Sequence, residues 1–128
     1  MKVVLWIVQA LLAAAFLAHG LMLLFPPAAI ASLMNAMLPR WFQLFLGVAE
    51  IAAAVGITVP GMTRIQPRLV PMAAAGIMIV LIGATILHLV RGEYSSAATT
   101  FVLLLMATLV AWQRTRVHPI AARSAGAA

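Results

Sequence analysis

Four long apolar runs decide what this chain can fold into. They cover about residues 3–25, 41–59, 70–90 and 97–112, and they are separated by short polar or proline-bearing stretches. A helix needs about 20 predominantly apolar residues to cross a bilayer. The first three runs meet that length, and the fourth does so by recruiting Tyr94, Ser95 and Ser96. None alternates with the two-residue period of a strand, and only helices or closed barrels satisfy their backbone in lipid. The reading is therefore all-α: a bundle of four transmembrane helices forming one domain over residues 1–114. No proline falls inside a predicted span. Pro26 and Pro27 close the first, Pro60 and Gly61 close the second, and Pro71 sits in the first turn of the third, where it is tolerated.

Composition agrees. The chain is 66% hydrophobic and 8% charged, against roughly 25% charged in soluble domains. The net charge of +6 does not point to nucleic acid. Its basic residues stand singly or in pairs at the ends of apolar runs, where membrane proteins keep them. With no cysteine, disulfides, thiolate catalysis and cysteine-ligated metals are excluded. The start MKVVLWIVQALLAAAFLAHG imitates a signal peptide, but its apolar run outlasts a signal core of about 7–15 residues. It reads as a retained span, with cleavage near residues 13–15 as the alternative.

Orientation follows from the basic residues. With a cytoplasmic N-terminus, the inside carries Lys2, Arg64, Arg68, Arg114, Arg116 and Arg123, and the outside carries Arg40 and Arg91. Both termini are expected in the cytoplasm. Trp6, Trp41 and Trp112 fall near the expected interfaces. In the first outer loop, Ile30, Leu33, Met34, Met37 and Leu38 recur at helical spacing. That segment is either a short interfacial helix or an apolar loop over the bundle. Residues 115–128 read as a flexible tail.

One carboxylate is out of place. Glu50, in GVAEIAAAVG, is one of two acidic residues in the chain. It lies nine residues below Trp41, roughly 13 Å deep at 1.5 Å per residue. Burying it there costs about 2.5–3.5 kcal/mol on insertion scales. Gln43, Gly47, Glu50 and Ala54 share a helix face, which should turn toward the bundle interior. His19 in the first span, and His88 with Thr85 in the third, lie in the same outer half, as do Thr99 and Thr100. A pocket entered from the outer side or from lipid could collect them. Beside a histidine, Glu50 could hold an imidazolium, shuttle protons, or bind the carbonyl of a quinone or similar lipid. The bland alternatives are a protonated acid gluing helices for Glu50, an interhelical hydrogen bond for His19, and a snorkelling or capping side chain for His88. Gln9, Gly76 and Gly83 read as packing positions, Arg91 and Glu93 as a solvated loop, and His118 as a tail residue. No local spacing matches a metal motif.

The stretches FLAHGLMLL, GVAEIAAAVGITVPG, PMAAAGIMIVLIGATILHLVRGE and VAWQR resemble the DoxX-like family of small four-helix membrane proteins. The resemblance runs over about residues 6–114. Its most specific elements are Glu50 followed by a small-residue helix and Pro60, and the close of the third helix at residues 84–88. Many relatives carry a lysine shortly after the glycine of the first helix; here Met22 and Leu23 stand there, so that lysine's role is lost. The resemblance implies a bundle in a bacterial inner membrane. Relatives are tied to a thiosulfate–quinone oxidoreductase and to oxidative-stress complexes, and distant eukaryotic ones act as chaperones or cargo receptors. The expected function is a quinone- or lipid-interacting subunit with a buried Glu/His site. The alternatives are a non-catalytic assembly or interaction subunit and, more weakly, a proton-coupled carrier. Membrane lipid, partner membrane subunits or a second copy are the expected partners.

Overall fold

The structure, a computed structural model, describes residues 1–124. Five α-helices follow in chain order: α1 (Lys2–Leu24), α2 (Ala28–Met37), α3 (Arg40–Thr63), α4 (Leu69–Val90) and α5 (Tyr94–Trp112). A π-helical turn, Gln113–Val117, extends α5. α1, α3, α4 and extended α5 are each long and apolar enough to span a bilayer. α1 packs on α3 and α4 on α5; α3 lies beside α4, and α1 more loosely beside α5. This is an up-and-down bundle of two hairpins. The start of α1 and the end of α5 share one end, called here the terminal end; α2 lies at the far end.

The exterior is what lipid requires. Ile7, Leu11, Val55, Ile79, Ile86 and Leu105 are exposed around the bundle, which in water would be an untenable apolar surface. The chain is a multi-pass integral membrane protein. Its packed core is off-centre. Leu12, Phe16, Ile57, Val70, Ile77, Ala107 and Val110 interlock in the middle and terminal half.

Two segments differ from the sequence reading, and a third follows it. α3 does not stop at residue 59 but runs through Pro60 to Thr63. Proline removes one helical donor and crowds the carbonyl four positions earlier, and here α3 carries that cost in its last turn, three residues before its end. The helix ends instead at Arg64, in the left-handed conformation with φ 58°. α5 begins at Tyr94, so the serines are recruited as the span length demands. Of the expected flexible tail, residues 115–117 belong to the π turn, and residues 118–124 lie back on the α3–α4 turn. Arg64 Nε donates to the Ala121 carbonyl at 2.9 Å, and the Arg123 amide donates to the Arg64 carbonyl at 2.8 Å. The last expected tail residues, 125–128, lie outside the described ones.

The first far-end loop is helical, as α2. Gln43 explains its position. The Gln43 side chain is fully buried, and its amide nitrogen lies 2.8 Å from the Leu38 carbonyl, 3.0 Å from Asn35 Oδ1 and 3.3 Å from the Met34 carbonyl. Arg40 donates to the Leu23 and Leu24 carbonyls at 2.7 Å each, so it satisfies carbonyls at the C-terminal end of α1. It also reaches Gln43 Oε1 at 3.3 Å. Gln43→Leu is expected to free α2. Hydrogen exchange should rise about tenfold or more in Ala28–Met37, with little change in α4; unchanged protection would remove Gln43 as its anchor.

Candidate functional site

The site starts where two helices nearly touch. A Cβ placed on Gly20 would stand 2.9 Å from the Gly47 carbonyl oxygen and 3.3 Å from Glu50 Cβ. Only glycines permit this approach of α1 to α3. It brings His19, next to Gly20, across to Glu50, one turn after Gly47. His19 Nδ1 and Glu50 Oε2 are 2.6 Å apart. The Glu50 side chain is 3% exposed and that of His19 51%, so the histidine links a buried carboxyl to a more open environment. The stripe Gln43, Gly47, Glu50 and Ala54 is buried throughout.

Packing between the two hairpins gives way in the far half to a cavity of about 780 Å³. Phe16, Met22 and Leu23 of α1, Met34 and Met37 of α2, Phe42 and Leu46 of α3, Ile79 and Leu87 of α4 and Leu103 of α5 form its wall, which is mainly apolar. His19, Gln43, Glu50, His88 and Thr100 are its polar lining. Such a size and a sparse polar lining are those of a small-molecule site.

The sequence candidates divide by what their polar atoms already do. Glu50 pairs with His19, not with His88. His88 Nδ1 lies 2.6 Å from Glu93 Oε2, because the turn after α4 brings Glu93 back over its last residues; the Glu93 amide also donates to the His88 carbonyl. Glu93, in the turn after α4 with its side chain 38% exposed, thus holds a residue of the cavity wall from outside the cavity. Gln43 holds α2, as above. Thr85 donates to the Leu81 carbonyl and lies 2.9 Å from Thr100 Oγ1, linking α4 to α5. What remains for a ligand is Nε2 of each histidine, which no described residue engages. Among the described residues no group of three or more metal-ligating side chains converges.

Gly76 and Gly83 are not the close-packing positions expected from sequence: a Cβ on either meets nothing within 4 Å. Gly83 instead lines the cavity. The close approaches are at Gly20, Gly47, Gly56 and Gly61.

The terminal end is closed by a residue that sequence reading assigned to a basic flank. Arg114 is 5% exposed. Its Nε donates to Gln9 Oε1 at 2.7 Å, its Nη1 to the His118 carbonyl at 3.3 Å, and its guanidinium carbon lies 5.1 Å from the centre of the Trp6 ring. Gln9, fully buried, in turn donates to the Ile57 carbonyl at 2.7 Å. The signal was present in the matched depth of Gln9 and Arg114 at the same end of the first and last spans.

No curated protein and no solved structure matched the chain significantly. The model of the DoxX-like family matches residues 7–110 of the 128, and with its four apolar spans the chain belongs to that family.

Proposed function

We propose that the protein holds an apolar small molecule carrying a carbonyl or hydroxyl head group, of the quinone or lipid class, in the cavity between its hairpins. The observation that carries this reading is the His19–Glu50 pair set in the wall of a cavity that is otherwise mainly apolar. With Nδ1 held by the carboxyl, Nε2 faces one of two tasks. A neutral ring presents a lone pair that accepts from a hydroxyl; a protonated ring presents N–H that donates to a carbonyl. A head group that alternates between carbonyl and hydroxyl suits such a wall. His88, held by Glu93, repeats the arrangement on α4. The methionines of α2 supply an adaptable apolar cover. In this reading the chain is a ligand-holding subunit of a membrane oxidoreductase or stress-response complex in a bacterial inner membrane, and electrons come from a partner.

The test is extraction of lipid from the purified protein and quantification of quinone and other co-purifying small molecules. Wild type should retain a quinone or lipid at a substantial fraction of one per chain. Glu50→Gln, of nearly equal size, should lose about tenfold in affinity, as expected for removal of one charge-assisted contact. Equal recovery from both would remove the His19–Glu50 pair from ligand binding.

A further inference from the structure

A second concavity lies at the opposite end. The α3–α4 turn and the returning C-terminal segment enclose about 710 Å³, lined by Arg64, Arg68 and Arg123 with Ile65, Pro67 and Ile120. Three features set it apart from an ordinary basic membrane edge.

The first is a built wall. Arg64 and the segment around Ala121 and Arg123 clamp each other through two hydrogen bonds, one from the Arg64 side-chain Nε and one to its backbone carbonyl. Ile120 packs beneath, its Cδ1 within 2.9 Å of where a Gly61 Cβ would stand. Arg64 and Gln66 both adopt positive φ, 58° and 52°, which costs non-glycine residues free energy.

The second is uncompensated charge. The terminal end carries Lys2, Arg64, Arg68, Arg114, Arg116 and Arg123, while the chain's two acidic side chains, Glu50 and Glu93, are both paired with histidines in the far half. Among the described residues the Arg68 and Arg123 guanidinium groups find no acceptor, and Arg64 uses only Nε. Gathering three guanidinium groups on one concave wall is unfavourable without an anion between them.

The third is depth. The turn joins the ends of two spans, Arg40–Thr63 and Leu69–Val90, and so stands at the head-group level of the bilayer. Arginine forks match the oxygens of a phosphate, and the apolar floor of Ile65, Pro67 and Ile120 suits the glycerol and upper acyl chain.

We infer that this pocket binds the phosphate of an anionic phospholipid. It is independent of the far cavity and of its occupant.

Native mass spectrometry of the detergent-purified full chain tests this by titration with phosphatidylglycerol and with phosphatidylcholine of the same acyl chains. Wild type should prefer phosphatidylglycerol. Arg68→Gln/Arg123→Gln should weaken phosphatidylglycerol binding about tenfold or more and leave phosphatidylcholine unchanged. Arg116→Gln, outside the pocket, should retain the preference. Arg68→Gln alone, at an exposed position, supplies the same comparison if the double variant aggregates. Equal binding of the two lipids by wild type, or equal loss in Arg116→Gln, overturns the proposal. So does inorganic phosphate raising the melting temperature as much as phosphatidylglycerol at equal concentration, which would mark a site for the free ion.

Discussion

Gly20→Leu should unseat α1 from α3 and take the His19–Glu50 pair with it. Its first added atom would stand 2.9 Å from the Gly47 carbonyl oxygen and 2.9 Å from Ile51 Cγ1. A side chain can rotate away from an intruder, but a helical carbonyl cannot. Overpacking in a well-packed site costs roughly 1–3 kcal/mol, and a leucine against backbone should reach about 3 kcal/mol. The opposing term is the better helix propensity of leucine over glycine, at most about 1 kcal/mol, so the clash wins. Gly76 provides the control. Nothing lies within 4 Å of its added Cβ, so Gly76→Ala keeps only the propensity gain and should be neutral or stabilising by up to about 1 kcal/mol. Unfolding in mixed detergent micelles with increasing dodecyl sulfate, followed by circular dichroism, measures both. A similar loss at the two glycines would mean that the Gly20–Gly47 approach does not hold the hairpin.

Gln9→Leu should destabilise the terminal end by about 2–3 kcal/mol, because it strips a buried cation of its best acceptor. Interhelical hydrogen bonds within membranes average only about 0.6 kcal/mol. Bonds to charged groups reach about 1.5–3 kcal/mol, and two features place this one at that upper end. Arg114 is 5% exposed, and its Nη2 already lacks a partner. The discriminating measurement is a double-mutant cycle. In the Arg114→Leu background, Gln9→Leu should cost much less, since no buried charge is left unpaired. Strictly additive losses would show that Gln9 and Arg114 are independent. The ring of Trp6 beneath the guanidinium explains why this tryptophan is partly buried, while Trp41 and Trp112 are exposed.

Of the sequence candidates, Glu50 was legible because its cost in lipid is large and local. The inward face of its stripe followed from periodicity, and Gln43, Gly47 and Ala54 are buried with it. Its partner was not legible. His19 and His88 stood at similar depth, and the choice between them rests on the distance between helices. The contact of Gly20 with Gly47 brings α1 within reach and gives Glu50 to His19. His88 is then satisfied by Glu93, five residues on, by a turn whose geometry spacing alone does not reveal. Gln43 looked like a ligand residue, yet its buried amide serves Met34, Asn35 and Leu38. Pro60 looked like a stop, yet the helix carries it through its last turn to Thr63.

By itself the sequence determined what one-dimensional cost can determine: four apolar runs long enough to cross a bilayer, helical because lipid leaves backbone groups no other partner, with one expensive carboxyl turned inward. Only the tertiary structure decided where space and charge remain. The cavity exists because the two hairpins pack tightly in one half and part in the other. The arginine pocket exists because residues 118–124 return to Arg64. Both are sums of contacts between segments far apart in the chain, and such contacts leave no periodic trace in the order of residues.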